Sequence, residues 1–318
     1  MKYPVIISGG GIIGCYIHLR LKQKGIPSLI IEKGFEARTT EINIRTISLN
    51  PSTHKLLLDL DIQLETASVN TIKVSDRDGS GKIEFVASEV GEEALSHVAM
   101  FNDLFKKMQD LAKPAIQFES EITSISQLEE LTKITLNNDT ELKTSLLIGS
   151  DGRKSPVAQL SNFISKDNDY KQTAFTFLAS EESASNNFVA SQIFSDKGIF
   201  ALMPIKHENK NMFSVVWSVP NILIKDTNID DFVSKNIDTV TSNISSKITL
   251  ESEIISFPLS NHHLDSYMKE GVVVVGDAAH SIHPLAGQGI NLGFADADIL
   301  CEEIITAFEK GYSIGSYR

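Results

Sequence analysis

Residues 5–32 carry a spacing that few folds can satisfy. Val5-Ile6-Ile7-Ser8 is a short apolar strand, and Gly9-x-Gly11-x-x-Gly14 follows it at once. Cys15, Tyr16, Ile17, Leu19 and Leu21 continue a helical pattern to Lys24-Gly25. Ser28-Leu29-Ile30-Ile31 forms a second strand, which Glu32 closes. Strand, glycine turn, helix and strand in that order make the opening unit of a parallel sheet. Gly9 permits the tight turn, Gly11 lets the backbone approach a pyrophosphate, and Gly14 lets helix and strand pack closely. Glu32 is placed to accept hydrogen bonds from both ribose hydroxyls of an adenosine. A lone Gly-x-Gly-x-x-Gly is weak; one set between strand and helix, with an acid ending the next strand, points to a dinucleotide.

The far end of the chain repeats the theme. Val272 to Val275 is an uninterrupted apolar run that reads as a buried parallel strand. Asp277, a small-residue turn, Pro284, Gly287-Gln288-Gly289 and a helical pattern from Ile290 to Phe308 follow. Asp277 suits polyol hydroxyls. The N–H groups around Gly287, Gln288, Gly289, Ile290 and Asn291 open a helix, where negative charge is favoured. Gly287 and Gly289 allow close backbone approach to a ligand, and Pro284 fixes the turn that enters them.

Between these ends the pattern is mostly β. Residues 51–60 read as a helix, as do residues 101–111, where Phe101, Leu104, Phe105, Met108 and Leu111 recur at spacings of three and four. Strands are expected at 72–74 and 83–86 around an Asp78-Gly79-Ser80-Gly81 turn, at 145–148, 174–178, 191–194, 199–203, 212–219 and 254–257. A helix is expected over Ile229 to Ile248. Leu146-Leu147-Ile148 leads into Gly149-Ser150-Asp151-Gly152, a strand ending in an acid-glycine turn. Two βα-type ends around a β-rich middle predict an α/β fold. Its Rossmann-like three-layer dinucleotide-binding domain (1–70, 98–168 and 258–318) carries an inserted, mostly β substrate domain (71–97 and 169–257).

Composition narrows the partners. The 318 residues carry a formal net charge of -12, which argues against nucleic acid and against an anionic membrane surface. The two cysteines, Cys15 and Cys301, fall on apolar helix faces and exclude a disulfide framework. No apolar run reaches the length of a membrane span. The expected location is cytoplasmic, with attachment at the membrane periphery as the alternative. His280 and His283 stand three apart near Asp277, but no ligand set accompanies them, so no metal is assigned. His280 is expected to satisfy buried backbone groups.

The segment from Gly276 to Gly293, together with the Gly9–Gly14 turn and the Ser150-Asp151-Gly152 turn, resembles the three cofactor motifs of the FAD-dependent aromatic hydroxylases, in the same order. Gln192-Ile193-Phe194, Gly198 to Pro204 and Val215 to Ser218 are similar to substrate-domain strands of the ubiquinone-biosynthesis branch. The segment from Glu41 to Leu49 is similar to the one that carries a flavin-contacting Arg, here Arg45. The resemblance implies the para-hydroxybenzoate hydroxylase fold and bound FAD. It places Asp151 near both the pyrophosphate and the nicotinamide approach, and the peptide groups of residues 285–289 at the flavin ring. It implies a monooxygenase: NAD(P)H, binding transiently, or another reductant reduces FAD. Dioxygen forms a flavin C4a-hydroperoxide, and hydroxyl passes to an electron-rich phenol, here a polyprenylated ubiquinone precursor. The protein positions ring and flavin and excludes water. Phe294-Ala295-Asp296 departs from the family, which often has Arg before that acid. The family's Glu-Asn pair before the amphipathic helix is reduced here to Phe101-Asn102.

Other readings stay open at this level. One is a flavoprotein of the same fold acting on a small aromatic acid, or reducing a prenyl chain; another is a plain NAD-dependent dehydrogenase. A third is a non-catalytic FAD-binding scaffold of a ubiquinone-synthesis complex. A small acid requires a basic residue in the substrate cavity, whereas a prenyl chain requires an apolar channel. The relatives continue past the position of Arg318 with a further helical region, whose absence would leave an apolar strip near Ile304, Ile305 and Phe308 or on the adjacent sheet domain. Self-association, or docking of a ubiquinone-synthesis protein, is expected there.

Overall fold

The computed structural model describes residues 2–35, 44–181, 188–207, 210–242, 247–283 and 287–316. Along the chain, β1 (Lys2–Ser8), α1 (Ile12–Gln23) and β2 (Ser28–Ile31) form the opening unit. A segment of β3 (Thr46–Leu49), α2 (Pro51–Leu58) and β4 (Ala67–Val69) leads to the hairpin β5 (Thr71–Asp76) and β6 (Lys82–Val86). β7 (Ser96–Met100), α3 (Phe101–Ala112) and β8 (Ile116–Gln117) follow. Then come β9 (Ile122–Leu128), β10 (Leu131–Leu136), β11 (Glu141–Gly149) and α4 (Pro156–Leu160). The β-rich stretch holds β12 (Ser165–Glu181), β13 (Val189–Ser195), β14 (Gly198–His207) and β15 (Lys210–Pro220). It ends with α5 (Ile229–Val240), β16 (Ile248–Leu250) and β17 (Ile255–Leu264). β18 (Met268–Lys269), β19 (Val272–Val274), β20 (His280–Ser281) and α6 (Gly289–Glu309) close the chain.

The parallel sheet runs β19-β11-β1-β2-β8. Alternation splits its side chains between two cores. Val5, Ile7, Ile30, Leu146 and Ile148 face a layer built on α1, α3 and α6. Ile6, Ile31, Leu147, Val272 and Val274 face a second layer with Ile122, Ile134, Leu136, Val157 and Ala158, from β9, β10 and α4. Strands buried on both faces explain why these runs read as continuously apolar.

A second sheet runs β20-β17-β12-β15-β14-β13-β5-β6. One of its faces packs Phe175, Phe177, Phe200, Val215 and Trp217 against Phe232, Val233 and Ile237 of α5. The other face turns toward the parallel sheet and meets the small sheet β3-β7-β4 through Val69, Val98 and Met100. Neither β12 nor β17 breaks at the expected limits of 168 and 258, since they span Ser165–Glu181 and Ile255–Leu264.

Three expectations need correction. The helix expected to reach Ile248 stops at Val240; Ile248 instead opens β16 and pairs with Glu181. Leu60 lies beyond α2, because Asp61 takes a left-handed turn with φ of 57°. Ile304 and Ile305 form no exposed strip. They are 3% and 6% exposed, packed in the core that α1 shares with α6. The exposed apolar residues of α6 are Leu292 and Ile299, seven apart on one side, and Phe308 on the opposite side. No helix among the described residues is long and apolar enough to cross a membrane.

Candidate functional site

The carboxyl ends of the parallel strands converge on one cavity of about 820 Å3. Strand order forces this: the Gly9 N–H bonds to the Ile31 carbonyl, Ser150 N–H to the Ser8 carbonyl and Val275 N–H to the Gly149 carbonyl. These rungs put Glu32, Gly9, Asp151 and Asp277 side by side at the open edge, where α/β sheets bind ligands.

The glycines behave as the spacing demands. Gly9 has φ of 105°, and a Cβ there would lie 2.6 Å from the Ser150 carbonyl oxygen. A Cβ on Gly14 would lie 2.0 Å from the Gly9 carbonyl oxygen, so Gly14 serves packing and does not line the cavity. A Cβ on Gly11 would meet nothing within 4 Å and would project into open space at the cavity wall. α1 starts at this point with Gly11 as its cap and no side-chain acceptor for its free N–H groups. α6 also starts at the cavity without a side-chain cap. Two uncapped helix starts facing one cavity favour anionic or electron-rich groups between them.

The acids differ in how they are held. Glu32 accepts the Gly10 N–H through Oε2 and the Gly34 N–H through Oε1, each at 2.6 Å. Glu32 lines the cavity, and each of its oxygens keeps a second lone pair. Asp151 accepts from Ser8 Oγ at 3.0 Å and from Val157 N–H at 3.2 Å through Oδ2, while its buried Oδ1 has no partner. Burial pushes the Asp151 pKa upward against the pull of these hydrogen bonds. Such an orphaned buried oxygen at a cavity edge fits a hydroxyl-rich ligand or an ordered water. Asp277 is exposed to the cavity, at the centre of the short 3-10 turn Gly276–Ala278.

Arg45 lines the cavity, with its guanidinium carbon 4.1 Å from the Phe101 ring centroid. The backbone sets this contact, since Phe101 N–H donates to the Arg45 carbonyl. Solvent in the cavity reaches Arg45, but surrounding protein lowers its pKa and the nearby Asp277 charge opposes that fall. Gly287, Gly289 and Ile290 line the same wall. Gln288 caps α6 and is not part of the lining. Pro284, with residues 285–286, lies outside the described residues, as does 41–43.

The side chain of Asn291 is engaged within the protein. It is 5% exposed; its Nδ2 donates to the Ser48 carbonyl and its Oδ1 accepts the Asn50 N–H. Both polar ends are used to stitch α6 to the segment carrying Arg45. His280 departs from expectation. It bonds a carboxylate, Asp296, and Tyr267 lies beside its ring with centroids 5.5 Å apart. His283 bonds Gln172 at 2.9 Å, so the two histidines serve separate partners.

Sequence reasoning missed Lys33, Ser120 and the far wall of the cavity. Lys33 had a signal, a base directly after the acid that closes β2. For the far wall the resemblance marked only the substrate-domain strands Gly198 to Pro204 and Val215 to Ser218, not the side chains that meet there: Thr176, Ala201, Met203, Val216, Ile255 and Phe257 come from four strands of the second sheet. Among the described residues of that wall there is no Lys or Arg.

The family model for the FAD binding domain matches residues 2–312. The chain is 26% identical to the mouse (Mus musculus) mitochondrial ubiquinone biosynthesis monooxygenase COQ6, covering 99% of this chain and 78% of that protein. It is 24% identical to 3-demethoxyubiquinol 3-hydroxylase of Escherichia coli, covering 98% and 82%. Among solved structures, P. aeruginosa PqsL in complex with 2-aminobenzoylacetate superposes with a TM-score of 0.81 at 19% identity, covering 99% of this chain and 89% of that one.

Proposed function

This chain belongs to the FAD binding domain family and is an FAD-dependent monooxygenase, and on that premise we propose that it hydroxylates an electron-rich phenol bearing a prenyl chain. The observation that carries the reading is the composition of the cavity along its length. One end offers glycine backbone, helix starts and acids, and the other offers Ala201, Met203, Val216, Ile255 and Phe257 without a cation. A small aromatic acid would need a positive partner at that end; an apolar ring and chain need only desolvated walls. The relatives named for ubiquinone biosynthesis support the same substrate class.

The residues fit FAD. Gly9, Gly11 and the start of α1 would take the pyrophosphate, Glu32 the adenosine ribose, and Asp151 and Asp277 the hydroxyls between them. Arg45, Gly287, Gly289 and Ile290 would take the ring end. Bound FAD supplies the redox and oxygen chemistry, with NAD(P)H as a transient donor. The chain's own groups orient the ring: Arg45 is held over Phe101, and the start of α6 offers free N–H groups to a developing negative charge. The apolar far wall keeps water from the reacting carbon. The segments 1–70, 98–168 and 258–318 would form the cofactor unit, and 71–97 with 169–257 the substrate unit.

The test uses purified protein loaded with FAD, NADH or NADPH, and dioxygen labelled with heavy oxygen. Phenols carrying zero to three isoprene units are compared. The expected result is a labelled hydroxylated product from the prenylated phenols. Label only in small aromatic acids, or none in any product, would overturn the substrate reading.

A further inference from the structure

We propose that an apolar track runs out of the cavity across the second sheet to its β6 edge, and that it holds the hydrocarbon chain of the substrate. The inference rests on the prenylated-phenol reading above and adds where the chain lies. Strand register carries it. Thr176, Val216 and Ala201, which wall the cavity, are directly paired across β12, β15 and β14. The same row continues from Ala201 to Gln192 on β13, Val74 on β5 and Ile83 on β6. Paired residues project from the same face, so the cavity wall and Ile83 belong to one continuous surface. Three strand spacings separate Ala201 from Ile83, roughly 14 Å. The row is apolar apart from Thr176 and Gln192.

The neighbouring rows extend it. Phe194 pairs with Ile199 on one side, and Phe85 pairs with Ile72 on the other. Phe194, Phe85 and Ile83 are 38%, 51% and 59% exposed. In the hairpin β5–β6, Lys73, Lys82 and Glu84 project to the opposite face, and Asp76, paired with Phe194 at the far end of β5, is the one charged residue of the hairpin strands on the track face. Alternation of this kind normally sets the apolar face against a covering layer. Here the small sheet covers the row through Ile72 and Met203 and the row beyond it through Ile205. The cover stops where the track begins, and the track begins where the cavity ends. Continuity with the cavity selects the occupant: a chain attached to a ring seated inside must leave along an apolar surface, and this face supplies one.

The experiment measures binding of phenols with zero to three isoprene units to the FAD-loaded protein by calorimetry. Turnover on the same series is followed separately. Wild-type affinity should rise about tenfold or more with three units. Ile83→Asp and Phe194→Asp should lose most of that gain, Ile83→Leu should keep it, and all three should retain FAD and the affinity for the unprenylated phenol. Equal gain in the aspartate variants, or no gain in the wild type, overturns the track. A wild-type dimer that Ile83→Asp splits, with the gain intact, assigns the face to a second copy and also overturns it. Failure to hydroxylate any of the phenols would overturn the function reading alone, because the binding series judges the track without turnover.

Discussion

His280 Nε2 lies 2.7 Å from Asp296 Oδ2, and the same oxygen accepts the Gly276 N–H at 3.0 Å. One carboxylate on α6 therefore clasps both sides of the turn that presents Asp277. The hydrogen bond and charge of Asp296 raise the His280 pKa above its ordinary value of 6.5, against the effect of burial. A raised histidine pKa contributes stability that is full below 6.5 and is lost as pH rises through the folded-state value. Asp296→Asn should remove this alkaline loss and lower the His280 pKa in a proton NMR titration. Asp296→Ala should cost about 1–3 kcal/mol, read from denaturant unfolding, because the Gly276 N–H loses its acceptor.

The first and last glycines of Gly11-x-x-Gly14 should separate under substitution. Gly11→Val adds its side chain in open space, so thermal stability should hold while FAD is lost. Gly14→Ala forces a Cβ against the Gly9 carbonyl and should cost about 1–3 kcal/mol of fold stability. A yellow, fully loaded Gly11→Val protein would remove the pyrophosphate from this turn.

Asp277→Ala should weaken FAD by roughly ten- to hundredfold, the loss of one charge-assisted hydrogen bond of about 1.5–3 kcal/mol. Fluorescence titration decides it, and a change under twofold sinks the assignment. Glu32→Ala should weaken FAD as well. It should also loosen the turn, since the Gly10 and Gly34 N–H groups both lose their acceptor. Glu32→Gln, which keeps one carbonyl acceptor, should recover part of the stability but less of the FAD affinity.

Asn291→Ala should act at a distance. It leaves the buried Ser48 carbonyl and Asn50 N–H without partners, a loss of about 1–3 kcal/mol. Asn50 caps α2 and the segment before it carries Arg45, so FAD affinity should fall too. Unchanged melting temperature together with unchanged FAD affinity would refute the stitching role.

His54 and His97 stack with centroids 3.9 Å apart. Burial lowers both pKa values from 6.5, and His54 pushes His97 further down while Glu93 opposes it. Lowered histidine pKa values contribute stability that is present above 6.5 and lost as pH falls through the folded-state values. Melting temperature should therefore drop on acidification below 6.5, and His97→Phe should flatten that slope.

The parallel-sheet half of the protein was legible in the sequence because its signals are local. Gly9, Gly11, Gly14 and Glu32 lie within a short stretch, and each position answers a constraint set by its immediate neighbours: a turn, a close approach, a strand end. The apolar runs 5–7, 146–148 and 272–275 identify strands buried on both faces without reference to anything distant. What tertiary structure decided depends on pairing between remote segments. Asn291 reads as a helix-start residue near a ligand, but the arrival of Ser48 and Asn50 consumes both of its polar ends. Ile304 and Ile305 read as uncovered until α1 packs on them. The strands of the far wall could be placed in the substrate domain by resemblance but its surface could not be read, because Thr176, Ala201, Val216 and Ile255 share a face only through strand register. Register is fixed by long-range hydrogen bonding and by which face a sheet must bury, neither of which is written in any one strand.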